Sequence, residues 1–308
     1  MPNIYIYIRE EVKELRQELK ADLALLSVTL VWGTSFPIMS KALEHTGPYT
    51  FLAYRYLAAA LILFFVIFKR LKDMDRKTLK AGLLIGLPLF IGCILQTVGL
   101  LYTTPSKSGF LTGMNVIFVP FFLALVYKQM PDSKSVAGVI FSIIGLSVMS
   151  LDTNLSMNFG DLLTLISAIA FAVQIIFVDR YARDVDIIVV SFLQMLVIGV
   201  LSFIPAIFLE GLAFPVNKFS VTSVIYTAIF CSIYAYYVQN KMQPYTKPTH
   251  AAIIFLMEPV FSAIFSSFIG DRLTGKSLAG CLLILFGMIV INIKLPKRAM
   301  KVELEEQI

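Results

Sequence analysis

The sequence predicts an all-α polytopic membrane protein, with ten transmembrane helices arranged as two inverted five-helix repeats. Three observations carry this expectation. Of 308 residues, 58% are hydrophobic and only 15% charged, with a mean hydropathy of +0.81; soluble domains average about 45–50% apolar. Ten apolar segments, most near the ~20 residues that a spanning helix needs, are separated by short polar breaks. The chain also contains itself twice.

The first copy begins Thr103-Thr104-Pro105-Ser106-Lys107-Ser108-Gly109, passes Pro120, and reaches Lys134-Ser135-Val136-Ala137-Gly138 and then Gly145. The second begins Thr246-Lys247-Pro248-Thr249-His250-Ala251-Ala252, passes Pro259, and reaches Lys276-Ser277-Leu278-Ala279-Gly280 and then Gly287. The offset is 143 at the start and 142 at the end, and it also places Gln96 on Gln239 and Tyr102 on Tyr245. Earlier in the chain it settles at 139, matching Asp22 to Asp161, Trp32 to Phe171 and Arg55 to Gln194. Solenoid units are roughly 20–50 residues long, so this period marks a duplicated half-protein.

In order, residues 1–20 form a polar prelude. Ile8, Val12, Leu15 and Leu19 make an apolar stripe at helical spacing among interleaved Lys, Arg and Glu. It reads as a cytoplasmic amphipathic helix on the inner membrane face, with a solvated helix as the alternative. It lacks the basic start, apolar core and cleavage site of a secretory signal. The first repeat, 21–152, carries apolar segments near 23–40, 49–68, 79–102, 108–127 and 135–151. The second, 160–294, carries 162–181, 187–209, 221–242, 251–269 and 278–293, and 295–308 is a cytoplasmic tail. Runs this long and uniformly apolar favour spanning helices; the fifth is short and crosses with little tilt.

With a cytoplasmic N-terminus, twenty of the 26 Lys and Arg residues fall on the inner side. Only Lys41, Lys107, Lys218, Arg272 and Lys276 fall outside, and Arg55 lies within a span. This asymmetry orients both termini inward. Five spans per half is an odd number, so the second half enters from the opposite face. The formal charge of +6 is therefore a topology signal and implies no nucleic acid. Cys93, Cys231 and Cys281 all lie in apolar runs without metal-ligand spacing, as small core residues. His45 and His250 are isolated, and no metal or cofactor is expected. No loop is long enough for a soluble catalytic domain.

The Trp32-Gly33-Thr34-Ser35-Phe36-Pro37 segment, Arg55, the Ser108-Gly109-Phe110-Leu111-Thr112-Gly113 run to Pro120, Glu258-Pro259, and the Gly-x₆-Gly ends of both halves together resemble the EamA family of the drug/metabolite transporter superfamily. The resemblance covers about residues 21–294. It implies ten helices in two inverted repeats and transport of small organic solutes, often outward. The fourth span ends Lys128-Gln129-Met130 where the family more often has Gly-Glu, and the second half shows only Gly270-Asp271. Those turns are expected to carry no substrate specificity.

Pro37, Pro120 and Pro259 each interrupt a span and free a carbonyl four residues earlier; in lipid that group needs a partner or a wet cavity. Trp32 and Ser35 beside Pro37 are read as one edge of a central cavity, with Asn115 and Gln174 as further buried amides. Glu258 lies about 13 Å from the inner end of its span and Arg55 about 9 Å from the outer end of its own, at 1.5 Å per residue. Ionisable groups there are costly and mark function by default. Glu258 suits proton coupling or a substrate ammonium, against a structural carboxylate. Arg55 suits the tying of helix ends, against bidentate capture of a carboxylate. Gln96 and Gln239 are repeat mates at opposite depths, where symmetric gates would sit. Tyr226, Phe230, Tyr234 and Tyr237 share a face at helical spacing, with Tyr234 and Tyr237 as an aromatic wall for organic or cationic solutes or as a packing stripe. Gly82-x₃-Gly86 and Gly109-x₃-Gly113 permit close helix approach, inside a monomer or across a homodimer.

These readings converge on a carrier, without enzymatic activity, that moves small organic metabolites such as amino acids, amines or drugs across the cell membrane by alternating access, with export favoured. The expected partners are the lipid bilayer and a small-molecule substrate. The alternatives are a lipid or lipid-linked flippase and a non-transporting membrane scaffold or sensor.

Overall fold

A computed structural model describes residues 2–103, 105–150, 158–267 and 274–292. The expected tail 295–308 and the Gly270-Asp271 turn lie outside the described residues. Among those described there are helices and no strands. Eight helices are long and apolar enough to cross a membrane, and two more, over 133–148 and 278–290, are apolar but shorter.

The first half comprises α1 (Pro2–Leu43), α2 (Pro48–Ile67), α3 (Arg76–Gly99), α4 (Pro105–Gly113), α5 (Asn115–Tyr127) and α6 (Ser133–Ser150). The second comprises α7 (Phe159–Tyr181), α8 (Ile187–Pro205), α9 (Lys218–Ala228), α10 (Ala235–Met242), α11 (Pro248–Phe255), α12 (Met257–Ser267) and α13 (Gly275–Asn292). The amphipathic prelude is not a separate element. Glu, Lys, Leu and Ala, all strong helix formers, carry one helix from Pro2 into the first span.

Polar caps fix the helix ends at the breaks between spans. The Asp75 carboxylate accepts from the Thr78 amide at 2.8 Å to start α3, Asn158 and Asp161 form a capping box on α7, and Asn217 caps α9. α2 is capped from a distance, since both Glu210 oxygens accept from the Tyr49 and Thr50 amides at 3.1 and 2.7 Å. Glu210 ends a π-helical turn, Ala206–Glu210, that Gly211 terminates at φ +62°, where a side chain would be strained.

Neither half has a core of its own. One buried cluster joins Leu25, Phe110 and Val119 of the first half to Ile175, Phe255 and Ile284 of the second. A second joins Tyr56, Leu63 and Leu89 to Val189, Met195 and Tyr236. Trp32 packs against both. The outer faces carry Leu83, Leu87 and Ile91 of α3 and Phe65 of α2 in the open. So much exposed apolar surface belongs in lipid, not water.

The most extensive helix pairings are α6 with α13, α3 with α7, and α2 with α8. α6 and α13, and α2 and α8, are matched by the sequence repeat. Where α6 crosses α13, a Cβ on Gly145 would lie 2.7 Å from the Gly280 carbonyl and one on Gly287 2.8 Å from the Gly138 carbonyl. The contact is reciprocal between matched glycines. Those neighbours are backbone and cannot yield, so Gly145→Val should destabilise the protein by about 2 kcal/mol or more, near the upper range of overpacking. Gly275→Ala, in open space, should leave stability unchanged. Thermal melting of the two purified variants compares them directly. Gly82, Gly86 and Gly113 face Leu193, Val197 and Leu256 of the same chain.

Candidate functional site

The apolar spans Ser108–Tyr127 and Pro248–Phe265 are each broken, and the breaks position the site. α4 gives way to α5 at Met114, where its amide donates to the Leu111 carbonyl at 3.2 Å. α11 gives way to α12 at Leu256, whose amide donates to Ile253 at 3.1 Å. Both bonds are i to i−3 closures that end one helix and let another start, and the two sites are 142 residues apart. Of the three prolines, Pro259 sits in the first turn of α12, where a missing N–H costs little. Pro120 lies inside α5, downstream of its break, and α1 runs through Pro37 without interruption. Gly33 of α1 lies against the second break: a Cβ there would be 2.6 Å from Phe261 Cβ and 3.1 Å from the Glu258 carbonyl.

The breaks deliver Asn115 and Glu258, at the starts of α5 and α12, to a cavity enclosing about 650 Å³ of empty space, its open mouth included. Trp32, Ser35, Arg55, Gln96, Gln174 and Gln239 also line it. Eight of the residues picked from sequence for the cavity or its gates therefore meet in one place. Tyr234 and Tyr237 do not. The Tyr234 hydroxyl bonds Ser27 at 2.7 Å, while the Tyr237 hydroxyl accepts from Lys241 at 3.3 Å. A π-helical turn, Ile229–Tyr234, inserts an extra residue into that span. The 3.6-residue count fails there, and Tyr236 faces the cavity instead.

Arg55 is 6% exposed and anchored by two neutral acceptors. Its Nε donates to Ser232 Oγ at 2.9 Å, and one terminal nitrogen donates to the Cys231 carbonyl at 3.1 Å. The guanidinium carbon lies 4.9 Å from the Tyr56 ring centroid. A guanidinium has five N–H donors, so three remain for the cavity. Trp32 Nε1 donates to the same Cys231 carbonyl at 3.0 Å, locking the indole edge beside Arg55. Among the described residues Glu258 is the one acidic residue that lines the cavity, and no ion pair joins it to Arg55. Asn115 Oδ1 is buried without a protein partner. The cavity thus presents a fork of cationic donors and a carboxyl group among aromatic walls.

Amide hydrogen bonds link α7 and α10 at one end. Gln239 and Gln174 exchange hydrogen bonds at 3.2 and 3.3 Å, and Gln239 also donates to Gln243, which donates to the Ile175 carbonyl at 2.6 Å. Gln96 donates to Thr112 at 2.9 Å nearer the other end. Gln194 and Asn240 pair off the cavity, with Asn240 also donating to Ser191. Sequence reasoning missed Tyr56, Cys93 and Tyr236, which meet in the cavity wall with hydroxyl to thiol and hydroxyl to hydroxyl distances of 3.3 and 3.4 Å. The available signal was the repeat itself, because Cys93 and Tyr236 are matched at offset 143.

Outside the membrane, Lys247 Nζ bonds Asp132 Oδ2 at 2.7 Å and ties the two halves together. This hydrogen bond holds the Asp132 carboxyl well below the usual carboxylate range. A depressed folded-state value means that the tie is fully present above the ordinary carboxylate range and is lost only as pH falls through the lowered one. Both side chains are largely exposed, so Asp132→Asn should cost about 0.5 kcal/mol or less, read as an almost unchanged melting temperature.

The sequence profile of the EamA-like transporter family matches twice, over residues 19–151 and 158–293. An uncharacterized transporter of Archaeoglobus fulgidus is 35% identical over 279 residues, covering 90% of this chain and 87% of its own. A protein of Salmonella typhimurium named as a probable amino-acid metabolite efflux pump is 27% identical over 288 residues, covering 87% of this chain and 93% of its own. A crystal structure at 18% identity superposes with a TM-score of 0.74 over 93% of this chain and 99% of its own, which is a likeness of fold.

Proposed function

Because this chain belongs to the EamA-like transporter family, we propose that it is a secondary carrier that moves small zwitterionic metabolites, amino acids foremost, across the cell membrane by alternating access. The carrying observation is the cavity: Arg55 offers unoccupied donors, Glu258 an unpaired carboxyl group, and no other charged residue lines it among the described residues. A carboxylate docks on the guanidinium fork, an ammonium on Glu258, and the side chain on Trp32, Tyr236 and Phe255. The starts of α5 and α12 add half-helix N-termini to the same cavity, as expected of a site built from broken helices. The cavity's charged and amide lining favours a small polar solute over a lipid. Export follows the name of the Salmonella relative.

Ten helices in two inverted repeats with inward termini is the arrangement that best fits the internal symmetry. Matched helices pair with each other, matched glycines make reciprocal contacts, and the matched residues Cys93 and Tyr236 meet at 3.8 Å. Residues that touch their own mates lie on a two-fold axis, and rocking of one repeat against the other about such an axis exchanges the two faces.

The test is thermal stabilisation of the detergent-purified protein by a panel of amino acids, amines, nucleosides and organic acids. A ligand at 100 times its Kd adds about 2.7 kcal/mol. Zwitterions should stabilise, whereas their decarboxylated or deaminated analogues should not. Equal shifts from amine and zwitterion would remove Arg55 from recognition.

A further inference from the structure

The sequence repeat matches a Thr–Asp pair at one end of the bundle with a pair at the other, and the two pairs differ. At one end the exit of α3 meets the start of α7. Thr103 Oγ1 donates to Asp161 Oδ1 at 2.6 Å. Asp161 Oδ2 accepts from the Asn158 amide at 2.8 Å, and Asn158 Nδ2 donates to the Tyr102 carbonyl at 2.9 Å. The backbones almost touch, since a Cβ on Gly160 would lie 2.5 Å from the Gly99 carbonyl. Asp161 is fully buried there.

The matched end lies where α10 leaves the membrane beside α1. Thr246 corresponds to Thr103 and Asp22 to Asp161. α1 packs against the 3-10 turn Gln243–Tyr245 that leads into Thr246. Thr246 is only 6% exposed, yet its hydroxyl makes no hydrogen bond. A buried hydroxyl without a partner is costly, and its mate at the other end has a carboxylate to bond. An unmade bond at one end, made at its symmetry mate, is what one conformation of a two-state rocker leaves behind.

We infer that Thr103–Asp161 and Thr246–Asp22 are a pair of repeat-related latches that close alternately, the first shut and the second released in this conformation. The inference rests on the carrier reading above. Asp22 is engaged by other contacts here and exchanges one of them for Thr246 in the other conformation. With cytoplasmic termini, the latch now shut is the outer one. Rocking that separates α3 from α7 gives up one bond and satisfies the other hydroxyl, so the two states stay close in energy, as a carrier requires.

Cross-linking in proteoliposomes tests it. The Tyr102 and Phe159 rings are 5.7 Å apart, so the pair Tyr102→Cys with Phe159→Cys reports the α3–α7 end. The matched pair Lys20→Cys with Tyr245→Cys reports the other. The native cysteines are buried and do not compete. Thr103→Val should lower the ratio of first to second cross-link by about fivefold or more, the population equivalent of one hydrogen bond. Thr103→Ser should restore it, and Thr246→Val should raise it. Should Thr103→Val not fold, Thr246→Val decides alone, since its hydroxyl contributes nothing in this conformation. Ratios unmoved by both substitutions, or moved in the same direction, overturn the latches. Wild-type vesicles that move no solute defeat the carrier reading instead, so the two failures are distinguishable.

Discussion

Arg55→Gln should leave a folded protein whose uptake of zwitterionic substrates falls about 100-fold or more, while amines that lack a carboxylate keep most of their flux. The size follows from truncating one partner of a desolvated charge pair, about 2–5 kcal/mol. Glutamine is also the residue at the matched position 194 of the other half, where it pairs with Asn240 in a buried setting. What Arg55 gives the protein itself is modest, with one bond to Ser232 and one to the Cys231 carbonyl, which Trp32 still serves after the substitution. Arg55→Lys should recover charge but not the planar fork, and so raise KM more than it lowers maximal flux. Ser232→Ala removes the bond that orients the guanidinium and should give a smaller loss in the same direction. If Arg55→Gln instead unfolds without substrate, or cuts amine and zwitterion flux equally, Arg55 ties helices together and does not read carboxylates.

The second large effect is expected at Glu258. Glu258→Gln keeps the side chain's shape and removes its charge. Flux of ammonium-bearing substrates should drop about 30-fold or more, and the pH dependence of what remains should flatten. Because the carboxyl group has no ion-pair partner among the described residues and intramembrane charge is costly, the variant should melt no lower than wild type. Retention of both the wild-type rate and the wild-type pH profile would remove Glu258 from both coupling and ammonium binding.

Arg55, Glu258, Trp32 and the glutamines were legible in the sequence for one reason. A polar group inside an apolar run pays to be there, so it is placed for a cause, and eight such choices fall on one cavity. The duplication was legible too, because offsets of 139 to 143 survive in residues that pack tightly or break helices. Tyr236 was not. Its position depends on a π-helical turn that no Gly or Pro announces, and a periodicity count that runs through it selects Tyr234 and Tyr237. The helix breaks were misplaced for a related reason. Proline marks a lost donor, but the spans break at Met114 and Leu256, where tight closures and the packing of Gly33 and Gly113 end one helix and begin the next. The prelude of α1 carries no stop signal, and the structure supplies none.

The most direct measurement is counterflow of a labelled amino acid into proteoliposomes preloaded with the same unlabelled compound. Alternating access at a single zwitterion site is expected to give transient, saturable accumulation of label, lost in Arg55→Gln. Vesicles holding folded protein that accumulate no amino acid, or in which the label enters without preloading and without saturation, would contradict the account.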